Sequence, residues 1–172
     1  MKFNIGWHVL YVKSYNEKKV HDTLEKNGLE SFLPLMKTVR KWSDRKKIIY
    51  KSMFPSYVFV KLKSPREFHD VLDVNGVCAY IRFGKEYAKV SENEITKIKL
   101  LVGAEGITDI EVTHKLPKVG DIQKILYGPL TGLECEIIRV DNTKKIVVRI
   151  ESLHQNITAT IPPCLLSDSL VA

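Results

Sequence analysis

Between Trp7 and Lys13 the chain alternates Trp7, Val9 and Tyr11 with His8, Leu10 and Val12, and both sets are largely apolar. That pattern suits a central strand covered on both faces. Ser14 with Glu17 then reads as a capping box, Val20 and Leu24 fall on one helix face, and Asn27-Gly28 ends the helix. Ser31 to Leu35 is a short apolar run that reads as the next strand, and Phe54-Pro55-Ser56-Tyr57-Val58-Phe59-Val60 is strongly β-prone. Ser64-Pro65-Arg66-Glu67 supplies an N-cap, a proline at the first helical position and a glutamate at the third, with Phe68, Val71 and Leu72 as the buried stripe. Val77 to Phe83 reads as a further strand, and Ser91 with Glu94 opens a third helix through Ile95, Ile98 and Leu101 or Val102. The order β-α-β-β-β-α-β-α implies helices packed on a mainly antiparallel sheet, the α+β class.

From Gly103 to Pro117 the pattern weakens, with two glycines and alternating polar residues, and this stretch reads as a linker. Beyond it every signal is β. Gln123 to Leu126, Glu134 to Val140, Ile146 to Ile150 and Ile157 to Ile161 are short strands separated by Gly128-Pro129, Asp141-Asn142 and Gln155-Asn156. A small barrel of four or five strands accommodates that spacing. The expected organisation is a first domain over residues 1–103, a linker over 104–117 and an all-β domain over 118–172.

Charge separates the same two halves. Residues 1–103 carry 20 basic and 11 acidic side chains, a net +9, whereas residues 104–117 carry −2 and residues 118–172 are neutral. The excess is densest between Lys37 and Lys51, where Lys37, Arg40, Lys41, Arg45, Lys46, Lys47 and Lys51 meet only Asp44. Trp42-Ser43-Asp44-Arg45 has the character of a turn, so the segment reads as a hairpin projecting two basic strands with Trp42 and Tyr50 interleaved. Seven cations in fifteen residues favour a finger that meets nucleic-acid phosphates over a hairpin whose lysines only keep the protein soluble.

Other chemistry is sparse. Cys78, Cys135 and Cys164 are an odd number among apolar neighbours, which fits reduced core thiols better than a disulfide framework. No two of His8, His21, His69, His114 and His154 stand at i, i+4, none adjoins a cysteine, and no nucleophile elbow or Gly-rich phosphate loop occurs. Catalysis, a metal site and a cofactor are therefore not expected. The longest uncharged stretch, Ser152 to Ser167, contains two prolines and several polar residues, so no membrane span is expected. The N-terminus lacks the apolar core of a signal peptide, and a cytoplasmic location follows as the expectation.

Taken jointly, Trp7-His8-Val9-Leu10-Tyr11-Val12-Lys13, the Phe54 to Val60 strand and Val77 through Arg82-Phe83-Gly84 resemble the NusG N-terminal domain. Val119-Gly120-Asp121 followed by Tyr127-Gly128-Pro129-Leu130-Thr131-Gly132 resembles a KOW motif, so the second domain is expected to be a small SH3-like KOW barrel. The basic hairpin is most similar to the specialised paralogues of UpxY and RfaH type, in particular antiterminators of capsular polysaccharide loci.

The resemblance implies a transcription antitermination or elongation factor without catalytic chemistry, which docks on the clamp helices of the largest RNA polymerase subunit and suppresses pausing or termination. Tyr57, Phe59 and Phe83 match the aromatic polymerase-binding positions. Tyr57 and Phe59 share one strand face, so period 2 makes both core or both interface, with Val58 and Val60 in the other role. Lys13 and Lys19, with Lys18 beside them, match a basic patch that meets non-template DNA. Together with Lys37, Arg40, Lys41, Arg45, Lys46 and Lys47 they form the expected nucleic-acid surface, facing non-template DNA or nascent RNA. Asn75 stands where RfaH has arginine, and Glu67-Phe68-His69-Asp70 lacks the histidine-and-threonine run of the RfaH gate contact. In the KOW half, Leu130 and Leu153 are the candidate partner-binding positions, for a small-subunit ribosomal protein or a termination factor. A ribosome-associated RNA-binding protein is the alternative function.

Overall fold

The computed structural model describes residues 5–41, 46–104, 107–113, 122–124, 130–140 and 143–160. Two compact units divide between Glu92 and Asn93. In the first, the strands are β1 (Gly6–Val12), β2 (Glu30–Phe32), β3 (Leu35–Lys41), β4 (Lys46–Ser52), β5 (Tyr57–Leu62), β6 (Val77–Tyr80), β7 (Arg82–Phe83), β8 (Glu86–Tyr87) and β9 (Lys89–Val90). Helix α1 (Glu17–Lys26) follows β1 and α2 (Pro65–Leu72) follows β5; helix α3 (Glu92–Gly103) begins at the division between the units.

The main sheet runs β2-β5-β1-β6, with β9 also paired to β1, and every pairing is antiparallel. Strand β1 is central, as its doubly apolar pattern implies. One edge is filled by β5 from Gly6↔Leu62 to Tyr11↔Tyr57. The other is shared: β6 takes Leu10 to Val12 and β9 takes Trp7 and His8. The run expected as one strand from Val77 to Phe83 is therefore broken at Ile81, whose N–H turns to the Val9 carbonyl at 2.8 Å. Beyond the break, β7 and β8 form their own two-stranded hairpin, turned by Gly84 at φ 63°.

Leu10 and Val12 from β1 and Val58, Val60 and Leu62 from β5 point to the helical side of the sheet. They pack with Val20 and Leu24 of α1 and Phe68 and Val71 of α2. Helix α2 begins as its sequence dictates, with Pro65 in the first turn, Ser64 Oγ accepting from Glu67 N, and Glu67 Oε2 accepting from Lys63 N at 2.7 Å. Helix α1 departs from its expected cap. Its N-cap is Asn16, with no side-chain cap hydrogen bond, and Glu17 Oε1 instead accepts from Ser56 N at 2.8 Å. Ser14 Oγ lies 3.3 Å from Ser56 Oγ. The residues expected to form a local box are drawn away by the turn before β5, where Pro55 and a positive φ of 63° at Ser56 make the Phe54 to Tyr57 reversal. Asn75-Gly76 closes behind α2 at φ 103°, where a Cβ would come within 2.9 Å of Val20.

Among its described residues the second unit holds β10 (Thr108–Thr113), β11 (Ile122–Lys124), β12 (Glu134–Val140), β13 (Thr143–Ile150) and β14 (Gln155–Thr160), with a 3₁₀ turn at Glu151–Leu153. They form an antiparallel sheet ordered β10-β14-β13-β12-β11. Strand β10 corrects the linker expectation. Thr108, Ile110 and Val112 alternate with polar residues, and the strand pairs with β14 from Thr108↔Thr160 to Thr113↔Asn156. Ile146, Val148, Ile150 and Ile157 are fully buried, the interior of an all-β unit.

A latch ties the end of α1 to β2: Glu25 Oε1 accepts from Ser31 N at 2.6 Å and from Ser31 Oγ at 3.0 Å. The Ser31 backbone donor, helped by its hydroxyl and by the nearby His21, holds the Glu25 carboxyl below its ordinary range. A carboxyl whose folded pKa is depressed contributes stability that is complete above its unfolded pKa and disappears as pH falls through the folded one. The thermal midpoint of Glu25→Gln should accordingly lie below that of the native chain at pH 7, and the two midpoints should converge on acidification below the usual carboxylate range.

Candidate nucleic-acid and partner interface

The sheet face opposite α1 and α2 carries Trp7, Val9 and Tyr11 from β1 and Tyr57, Phe59 and Lys61 from β5, as period 2 requires. Its two ends differ. Near Gly6 it is closed: Trp7 is buried, its Nε1 donates to Glu92 Oε2 at 3.0 Å, and Lys61, ion-paired to Glu92, stands 5.7 Å from the indole centroid. At the other end the register aligns Tyr57, Tyr11 and Ala79 across three strands. The Tyr11 and Tyr57 rings meet edge to face at 6.5 Å, and Tyr11 remains 47% exposed.

Tyr57 and Phe59 thus have different fates despite sharing a face. Phe59 is fully buried, its ring 6.0 Å from Phe32 and 5.6 Å from Phe54, whereas Tyr57 is half-buried. The expected anchor at Phe59 is corrected on this ground, because two aromatics from elsewhere in the chain close over it. Phe83 is 44% exposed on the β7–β8 hairpin, beside Arg82, whose guanidinium lies 5.0 Å from the Tyr87 ring. Tyr11 is the residue that sequence reading passed over. Its alternation with Trp7 and Val9 placed it on this face, but only the register reveals that it adjoins Tyr57.

The basic residues form two groups. Lys13 leaves the end of β1, its N–H bonded to the Gly76 carbonyl at 2.9 Å, and Lys18 and Lys19 lie in the first turns of α1. All three are exposed, and among the described residues none has an ion-pair partner. The second group is the expected hairpin, present as the two-stranded β3–β4 ribbon. Its register sets Arg40 opposite Lys47 and Lys41 opposite Lys46, and Lys37 opposite Tyr50. Lys37 is exposed, Tyr50 is 67% exposed and Ile48 51% exposed. Arg45 and Trp42 lie outside the described residues.

In the second unit, Leu130 and Leu153 are both buried and are interior residues, which corrects their reading as partner contacts. Leu130 closes a turn by accepting from Leu133 N at 3.0 Å, and Leu153 is carried inward by the 3₁₀ turn, after which His154 adopts φ 51° and faces outward. Thr131 and His154 are the exposed neighbours. Val119-Gly120-Asp121 and Tyr127-Gly128-Pro129, which carried the KOW resemblance, lie outside the described residues. Ser152 N donates to Glu94 Oε1 at 3.0 Å. Across the sheet, Arg149 binds the buried Glu136 carboxylate through Nε at 2.7 Å and through its terminal nitrogen at 2.6 Å.

Among the described residues, neither the His21 cluster nor Cys135 has the arrangement of a nucleophile with its base. His21 Nδ1 meets Ser31 Oγ, but the acid, Glu25, sits on the serine rather than on the far imidazole nitrogen, so nothing orients the ring as a base. Burial pushes the Cys135 thiol up to about 11, which makes it a poor nucleophile. Cys78, expected in the core, is exposed on the edge strand β6, and Cys164 lies outside the described residues. Among the described residues no group of three or more His, Cys, Asp or Glu is placed to hold a metal ion, and no helix is long and apolar enough to cross a membrane.

The architecture is that of an α+β protein in which a helix-backed antiparallel sheet precedes a small all-β unit, with an aromatic row on the sheet and the basic β3–β4 segment paired as a separate two-stranded ribbon. A family model described as transcription termination factor NusG matches residues 6–99, more than half of the chain, and the chain belongs to that family. The fold is similar to that in a solved structure described as domain interaction in Thermotoga maritima NusG, with a TM-score of 0.51 and 22% identity over 92% of this chain and 93% of that one. No curated protein matches the chain. The family is one of transcription factors acting on elongation and termination.

Removing the cation from the Glu136 pair would leave a buried carboxylate without its partner. Arg149→Met should cost about 1.5–3 kcal/mol of unfolding free energy, measured by urea denaturation, and Glu136→Gln combined with Arg149→Met should recover part of that loss.

Proposed function

We propose that the protein is an antiterminator of the specialised UpxY/RfaH type, working in the cytoplasm at a particular operon such as a capsular polysaccharide locus. Its first unit binds the clamp helices of the largest RNA polymerase subunit and holds the enzyme in a pause-resistant state. The observation that carries this reading is the Tyr57–Tyr11–Ala79 row, a partly exposed aromatic surface on a rigid sheet whose opposite face is the core. A partner helix gains most from a few aromatic anchors on a firm support. Tyr57 and Tyr11 are the anchors, with Phe83 contributing from its own hairpin.

The cationic groups serve nucleic acid. Like charges set directly opposite one another in a β ribbon repel, and the β3–β4 ribbon does this twice, at Arg40/Lys47 and Lys41/Lys46. Phosphate neutralises that repulsion and releases counterions in doing so. Lys13, Lys18 and Lys19 form a second contact on the same class of ligand, non-template DNA or nascent RNA. The all-β region, neutral over residues 118–172, takes the KOW role of binding another protein, a small-subunit ribosomal protein or a termination factor, through exposed positions around Thr131 and His154 rather than through the interior Leu130 and Leu153.

Two measurements test the reading. Tyr57→Ala and Tyr11→Ala should each weaken binding to core RNA polymerase by about 1–3 kcal/mol, with circular dichroism unchanged. Retained binding in both variants, or no binding by the native chain even to an assembled elongation complex, would redirect the function to the ribosome-associated alternative. Charge reversal at Arg45, Lys46 and Lys47 should weaken nucleic-acid binding at low salt and flatten its dependence on salt concentration; an unchanged slope would remove the ribbon from the nucleic-acid surface.

A further inference from the structure

The turn joining β1 to α1 presents a side chain that contributes nothing to the fold. Tyr15 is 99% exposed, so its ring buries no apolar surface. Its φ is 64°, in the left-handed region where a Cβ is crowded and glycine is the natural occupant. The conformation is firmly braced. Asn16 N donates to the Lys13 carbonyl at 3.0 Å, Asn16 Nδ2 donates to the Ser14 carbonyl at 3.2 Å, and Ser14 and Glu17 both reach Ser56. A strained residue that its surroundings hold in place points to a role outside the fold.

The neighbours of Tyr15 indicate the ligand. Lys13 precedes it and Lys18 and Lys19 follow it, all exposed and without ion-pair partners among the described residues. The adjoining Ser14 and Asn16 are polar. A fixed, solvated ring among free ammonium groups supplies both halves of single-strand recognition, a π-face for a base and cations for the backbone. A protein anchor would instead stand among apolar neighbours that exclude water around it.

We propose that Tyr15 is a stacking platform for one unstacked base of a single-stranded nucleic acid whose phosphates are held by Lys13, Lys18 and Lys19. The assignment rests on the nucleic-acid reading of those lysines and adds a residue and a mode to it. Contact with the base is made by stacking, so one nucleotide is held in a fixed place without a hydrogen-bond code.

The test uses the full chain, fluorescence anisotropy, and short single-stranded DNA and RNA oligonucleotides of the same mixed sequence. Tyr15→Gly removes the ring and suits the backbone, so its thermal midpoint should be no lower than that of the native chain. Its affinity should fall by about 10-fold or more with the salt slope unchanged, and Tyr15→Trp should retain affinity. The oligonucleotide showing the larger loss identifies the strand as DNA or RNA. Equal affinities of Tyr15→Gly and the native chain for both oligonucleotides would overturn the stacking assignment alone, since Lys13→Gln and Lys19→Gln flattening the slope would leave the phosphate contacts standing. A native chain that binds neither oligonucleotide would overturn both. Loss of RNA polymerase binding by Tyr15→Gly, with oligonucleotide affinity intact, would overturn the assignment in favour of a protein contact.

Discussion

The first unit depends on the position of β1. Because β5 fills one of its edges and β6 and β9 divide the other, nearly every backbone donor and acceptor of this strand is committed to a neighbour. Its two faces are equally committed: Leu10 and Val12 enter the core with α1 and α2, while Trp7 and Val9 are buried on the opposite side. Only Tyr11, at the end of the strand, retains an accessible face. The aromatic row is therefore held on the least deformable part of the unit, and the β1–α1 turn is anchored to the same strand through Lys13.

This placement separates core positions from accessible ones residue by residue. On the helical face, Val58 and Val60 hold the core; one residue away in the sequence, Tyr57 reaches the surface while Phe59 is covered. Substitution of Val58 or Phe59 would therefore act through folding, whereas Tyr57 and Tyr11 keep accessible surface. A similar separation exists in the second unit, where Leu153 is interior and His154, immediately after it, is turned outward by a left-handed backbone.

Much of this architecture was legible because its signals are local. The Ser64-Pro65-Arg66-Glu67 cap, the doubly apolar β1, the basic hairpin and the alternating strands of the second half all declare themselves within a few residues. What escaped depends on distant partners. Phe59 is buried because Phe32 and Phe54 reach it, which no periodicity encodes, and Glu17 leaves its expected capping role because Ser56 offers a better-placed donor. The β10 strand was missed because the glycines around it and its polar alternate positions resemble a linker until β14 is present to pair with it. Tyr15 lay unremarked because exposure and backbone conformation, not residue type, make it unusual. In the candidate site, charge density singles out the Lys37 to Lys51 cations and family resemblance Lys13, Lys18 and Lys19, whereas the adjacency of Tyr11 to Tyr57 requires the strand register.

The opposed cations of the β3–β4 ribbon couple its own order to the surrounding electrolyte. The backbone register sets Arg40 against Lys47 and Lys41 against Lys46, and dissolved salt screens repulsion between like charges paired in this way. The same ions compete with phosphate for those cations and loosen any hold on nucleic acid. On the proposed nucleic-acid reading, rising ionic strength would push the ribbon's internal pairing and its external grip in opposite directions. A polyanion lying along the ribbon removes that opposition, because it acts as a localised counterion that favours pairing and attachment together.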